Sequence, residues 1–176
     1  MSKVNWKIDA SHSEVLFKVK HMMITNVTGH FTEIEGSIET EEEDFTTAMV
    51  DFKAKTASVN TNSEQRDTHL RSAEFFDADQ FPTVNFKSTR VTKGAGNAYQ
   101  MEGNLTLHGI TKNINLQIEF GGINKDPWGQ TKAGFTVNGK INRGDFGLVW
   151  NSALETGGVL VSEEVRISAE VQLIRG

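Results

Sequence analysis

Apolar and polar residues alternate with a period of two over most of this chain, the spacing that gives a β-strand one buried and one wet face. Val4, Trp6 and Ile8 alternate with Asn5, Lys7 and Asp9, and Val15, Phe17 and Val19 with Leu16, Lys18 and Lys20. The same rhythm runs through Val50, Phe52 and Ala54, then Val84 and Phe86, then the odd positions from Tyr99 to Leu107. It resumes at Ile114, Leu116, Ile118 and Phe120, at Phe135, Val137, Gly139 and Ile141, and at Val165, Ile167, Ala169, Val171 and Leu173. With a further run from Phe31 to Glu39, the pattern predicts about nine strands of ordinary length. The chain reads as all-β.

Turn residues fall between these runs: Glu41 to Asp44, Lys93 to Asn97, His108-Gly109, Gly121-Gly122 and Asp126 to Gly129. Such short connections predict antiparallel hairpins. The stretch from Thr61 to Pro82 breaks the rhythm. Thr61 and Glu64 form a T-x-x-E capping box, which predicts a short helix beginning at Thr61, with Asp67 and Arg71 as an exposed (i, i+4) pair. A helical turn or irregular loop is expected around Ser152–Gly158. No linker or repeat divides residues 1–176, so one domain is expected. One-sided strands suit either a sandwich or a barrel. By periodicity alone the apolar stripe reads as plain core, with a ligand cavity as the alternative.

Composition narrows the chemistry. The chain has 18 basic and 23 acidic side chains, a net charge of −5, and no basic patch, so nucleic acid is not an expected partner. No cysteine is present, which excludes thiol catalysis, zinc–thiolate sites and iron–sulfur ligation. Lys3, Lys7 and Asp9 interrupt any apolar run near the start, so neither a signal peptide nor an integral membrane segment is expected. A cytoplasmic location follows if this is the whole gene product, and a periplasmic one if a signal has been removed.

Catalytic signatures are missing. G-x-S-x-G and H-E-x-x-H do not occur, and the P-loop-like run from Gly134 to Lys140 has Ile141 where a magnesium-binding hydroxyl belongs. The five histidines, at 12, 21, 30, 69 and 108, are too far apart in sequence to form a local ligand pair, and no metal site is expected. Arg66, Asp67 and His69, and Arg143 with Asp145, are candidate acid–base groups. Their simpler reading is as braces for the helix and for the loop leaving a strand, with Gly144 and Gly147 permitting the bend.

Ordered blocks of sequence carry a more specific signal. Trp6 to Asp9, His12-Ser13 and Phe17 to His21 resemble the opening of the YceI-like, polyisoprenoid-binding family. Gly29 to Phe31, Glu35-Gly36 and Ser58 to Thr61 continue it. Arg66-Asp67, His69-Leu70, Phe75 to Asp77, Pro82 to Ser88 and Gly103 to Thr111 extend the match. Arg143 to Gly147 and Val165 to Glu170 complete it.

This resemblance implies an extended, lipocalin-like, eight-stranded antiparallel β-barrel with one short helix. It further implies an apolar lumen holding a long-chain isoprenoid, an isoprenoid quinone or a fatty-acid-like amphiphile, no other cofactor, and often a homodimer. The lumen is then lined by Phe17, Val19, Phe52, Phe86, Leu105, Leu107, Leu116, Ile118, Phe135, Val137 and Ile167. Arg66, Asp67 and His69 are expected at the mouth beside a head group, joined by Arg143 and Trp150. The implied function is non-enzymatic binding, transport or storage of such a lipid. The alternative is an enzyme acting on a lipid-like substrate in the same cavity through His21, His69 or Asp67.

Overall fold

A computed structural model describes residues 2–152, 154 and 159–176. In chain order its strands are β1 (Lys3–Ile8), β2 (Glu14–His21), β3 (Thr25–Phe31), β4 (Ile34–Glu41), β5 (Asp44–Lys55) and β6 (Val59–Asn60). After helix α1 (Glu64–Arg71) come β7 (Thr83–Lys93), β8 (Ala98–Leu107), β9 (Ile110–Lys125), β10 (Thr131–Asn142) and β11 (Glu164–Arg175).

The strands form one antiparallel ring. Its order is β1-β4-β5-β7-β8-β9-β10-β11, and β11 returns to β1 through pairs running from Trp6↔Arg175 to Ile8↔Leu173. That is the eight-stranded closed barrel the resemblance implied. The three remaining segments lengthen the wall rather than widen it. β2 lies along β11, with Ile167 opposite Phe17, so β1 and β2 are one long strand broken by a turn at Ala10–His12. β3 then pairs with β2, and β6 with β3. Closure pairs the strand edges that an open sheet would expose.

Asp9 makes the break between β1 and β2. Its carboxylate accepts from the Ser11 backbone at 3.2 Å, the Ser11 hydroxyl at 2.7 Å and His12 Nδ1 at 2.8 Å. Lys132 Nζ reaches it from β10 at 3.2 Å. The hydrogen bonds from Ser11, with His12 and Lys132 beside it, hold this carboxyl well below the usual range.

The base of the barrel is filled. Val4, Trp6, Ile38, Phe45, Ala133 and Leu173 are buried together there. Phe45 packs edge-on to Phe135 at 4.9 Å and tilted against Phe120 at 5.4 Å. Trp6 is fully buried, and its indole N–H donates to Thr40 Oγ1 at 3.1 Å, so the polar atom is not orphaned.

Three expectations need correction. The helix is capped by Ser63, whose hydroxyl accepts from the Arg66 backbone at 3.3 Å, rather than by Thr61. Asp67 is not an exposed partner of Arg71, because it is buried and bonded to Thr61. Gly121-Gly122 is not a turn: Gly134 pairs with Gly122 and Phe135 with Phe120, leaving Gly121 as the extra residue of a bulge inside β9. The loop expected around Ser152–Gly158 falls mostly on residues 153 and 155–158, which lie outside the described residues.

Candidate functional site

Above the aromatic base the barrel interior is hollow. The cavity has a volume of about 730 Å³ and runs from Phe45, Phe135 and Leu173 at its floor to α1 at its rim. Phe17 and Val19 of β2, Phe52 of β5 and Phe86 of β7 line it. So do Leu105 and Leu107 of β8, Leu116 and Ile118 of β9, Phe135 and Val137 of β10, and Ile167 of β11. All eleven are inward-facing positions of alternating strands. Because the ring encloses a gap wider than these side chains fill, the inward stripe serves as wall and core at once.

The rim is built by α1 and the segments beside it. Gln65, Arg66, His69 and Leu70 of the helix line the opening, together with His21, Trp150, Leu160 and Val161. Arg66 donates from Nε to Thr61 Oγ1 at 2.7 Å and from Nη2 to the Thr61 carbonyl at 2.6 Å. Asp67 accepts from the Thr61 N–H at 2.8 Å and from its hydroxyl. Thr61 is therefore clamped between two helix side chains, which ties α1 to the end of β6.

His69 stacks edge-on against Trp150 at 4.7 Å and Phe75 at 5.0 Å, while its Nε2 is hydrogen-bonded to Glu74 Oε2 at 2.9 Å. Glu74 is exposed and does not line the cavity. Asp67 does not line it either. The place expected for Asp67 at the mouth is corrected: it sits behind Thr61, which lines the cavity and supplies both donors that Asp67 serves.

Arg143 reaches the cavity but is 4% exposed and committed to backbone carbonyls. Its Nη1 donates to Leu148 at 2.7 Å and Trp150 at 2.9 Å, its Nε to Ser162 at 2.8 Å and its Nη2 to Val161 at 3.3 Å. Burial pulls its pKa below the ordinary guanidinium value, and Glu163 opposes that shift. One cation thus ties together the two segments that frame one side of the mouth.

Sequence reasoning passed over several lining residues. Phe31 and Phe76 meet edge-on at 5.6 Å and roof part of the cavity. The Phe75-Phe76 doublet after the helix is the visible signal for Phe76, obscured because no periodic run contains it, whereas Phe31 falls at the edge of an expected strand. His21, a catalytic candidate by sequence, lines the rim at the end of β2.

A second concavity of about 680 Å³ lies between β9 and β10, lined by polar residues such as Asn113, Asn115, Asn138 and Lys140. Among the described residues no group of three His, Asp or Glu side chains is placed to hold a metal ion, and no helix is long and apolar enough to cross a membrane.

Known proteins share this architecture. A Staphylococcus aureus protein designated UPF0312 is 36% identical over 169 residues, covering 96% of both chains. The crystal structure of a Campylobacter jejuni YceI protein is 34% identical, with a TM-score of 0.77 over 89% of this chain and 90% of that one. Burkholderia cenocepacia BcnA has the same fold at 19% identity, with a TM-score of 0.81 over 94% of this chain and 98% of that one. A Saccharophagus degradans structure described as a polyisoprenoid binding domain matches at 14% identity, with a TM-score of 0.70 over 97% and 98%. Residues 6–173 match the family described as the YceI-like domain, and the chain belongs to that family.

Proposed function

We propose that this protein binds one long apolar chain, an isoprenoid or similar amphiphile, in the barrel cavity and carries or stores it without chemical change. The observation that supports this most is the cavity itself: about 730 Å³ of space walled by Phe, Leu, Ile and Val, with polar groups gathered at one rim. Each square ångström of hydrocarbon moved from water into such a wall contributes about 25 cal/mol, so a long chain binds tightly without any covalent step. Gln65, Arg66 and His69 stand where a polar head group emerges. The Saccharophagus domain, described as binding polyisoprenoids, supports the same ligand class here.

The test is native mass spectrometry of the purified protein, followed by organic extraction and reloading with an isoprenoid quinone. One bound lipid per chain is the expected result, recovered at unchanged mass after incubation. Recovery of a shortened or hydrolysed product would replace carriage with catalysis. Leu116→Lys places a charge in the hydrocarbon wall and should weaken binding at least tenfold. Val137→Phe keeps the wall apolar but fills part of it, and should exclude the long chain while a shorter analogue still binds. A folded Val137→Phe protein that binds both chains as the parent does would place the ligand elsewhere.

A further inference from the structure

We infer that the β2–β3 turn and the segments beside it form a membrane-docking tip, which brings the cavity mouth to the surface of an anionic bilayer. At the end of β2 the chain turns through Met22, Met23 and Ile24, closed by an Ile24 N–H to His21 carbonyl bond of 3.2 Å. All three side chains are exposed, Ile24 at 77%. They are not alone. The Met22 N–H donates to the Leu160 carbonyl at 2.7 Å, and the Leu160 N–H to the Ser152 carbonyl at 2.9 Å. These bonds bring exposed Val159 beside the turn, and exposed Val149 lies in the segment that carries the rim residue Trp150. The apolar tip is thus continuous with a cavity rim that contains His21, Trp150, Leu160 and Val161.

Backbone geometry argues that the tip serves more than chain reversal. Met22 and Met23 both adopt left-handed conformations, with φ of 53° and 63°. Asn-Gly is the sequence such a turn favours, and side chains as large as methionine are strained there. The strain keeps apolar groups in water, and a turn that only joined two strands would have no use for it.

Charge selects the partner. Lys18 pairs with Arg166 across β2 and β11, and Arg166 with Lys140 across β11 and β10. These side chains form one exposed row at strand spacings of about 4.8 Å. Lys20 lies two residues from Met22, and the row begins four residues, or about 13 Å, behind it. Among the described residues, Glu163 and Glu164 are neighbouring carboxylates, with Glu164 reaching Arg166 at 3.4 Å, and Asp145 shares a concavity with Lys140. Lys18, Lys20, Lys140 and Arg166 outnumber these carboxylates, so the described residues of the patch keep a positive excess in a chain whose net charge is −5. An apolar tip backed by cations matches the boundary between acyl chains and anionic head groups.

Cosedimentation with phosphatidylcholine vesicles, with and without phosphatidylglycerol, tests the inference. The protein should pellet with the mixed vesicles, lose most of that binding in high salt, and remain in solution with neutral vesicles. The double substitutions Met23→Asp/Ile24→Asp and Lys18→Glu/Arg166→Glu should each weaken it at least tenfold. Met22→Asn/Met23→Gly suits the turn and should raise the melting temperature while lowering vesicle binding, which separates docking from unfolding. Failure to pellet with any vesicle, or unchanged binding of these variants, would overturn the inference. Self-association that the turn variants abolish, without vesicle binding, would show that a second copy covers the tip. Quinone binding measured without vesicles should be unaffected by the turn variants. Vesicle binding by a protein that takes up no quinone would leave the docking surface standing and remove only the carrier reading.

Discussion

Asp9 shows what one side chain does in a closed barrel. It caps the turn that breaks a long strand in two and anchors Lys132 from the neighbouring wall. Its carboxyl is held below its ordinary value of 3.8, so the folded state binds this proton less readily than the unfolded chain. The stabilisation is therefore complete above that ordinary value and drains away as pH falls further toward the folded-state pKa. Asp9→Asn should melt lower than the parent at pH 7, and the gap should narrow once pH drops below about 4, as read by thermal denaturation across pH. A gap that stays constant with pH would mean that charge is not what Asp9 supplies. Arg143 makes the complementary case. Its four bonds to carbonyls of the two mouth segments have no substitute in lysine, which offers fewer directed donors. Arg143→Lys should cost about 3 kcal/mol in denaturant unfolding, since buried hydrogen bonds from a charged group are worth about 1.5–3 kcal/mol each and some are retained.

At the scale of elements, the sequence announces a strand wherever both faces carry side chains of opposite character. β11 and β8 were legible for that reason. β3 was not, because its residues Thr25 to Thr28 are mostly polar and its inward position 29 is glycine, a gap that the Phe17 ring fills. An inward glycine looks like a turn in sequence but marks close approach in space. The Phe86 ring likewise lies over Gly103, so Gly103→Val would collide with both that ring and the Lys87 backbone and should cost about 1–3 kcal/mol. The helix was legible from its broken rhythm, its cap less so. Thr61 and Ser63 both precede Glu64, and only the fold shows that Thr61 is spent on Asp67 and Arg66. Ser63→Ala should therefore cost about 1 kcal/mol of stability. Thr61→Val should additionally loosen α1 from the rim and speed ligand release, measured as an increased off-rate with little change in the melting of the barrel.

For the whole molecule, the lining stripe was readable residue by residue, but its hollowness was not, because alternation is the same whether opposite walls meet or stand apart. Ring size decides that, and ring size depends on which strands pair across long sequence separations. The same long-range pairing leaves a seam in the wall near the mouth. The β9–β10 ladder runs only as far as Gly139↔Leu116, although β9 pairs with β8 down to Ile110 and β10 pairs with β11 up to Asn142. Toward the mouth, Ile110 to Asn115 and Lys140 to Asn142 therefore have a partner on one side only. The turn Arg143–Phe146 covers this opening, with Phe146 buried and its carbonyl 3.2 Å from His108 Nδ1. A covered seam lacks the ladder hydrogen bonds that hold the rest of β9 against β10, so it opens at lower cost than the paired part of the same strand. Hydrogen exchange should show alternate amides of Ile110 to Asn115, those facing β10, exchanging faster than their neighbours facing β8. Amides between Leu116 and Phe120 should stay protected on both faces. Ala substitution of Phe146 should accelerate the seam amides selectively, because it removes the cover and leaves the ladder intact. Uniform protection along β9, unchanged in Phe146→Ala, would mean that the wall behaves as a fully closed ring despite its missing pairs.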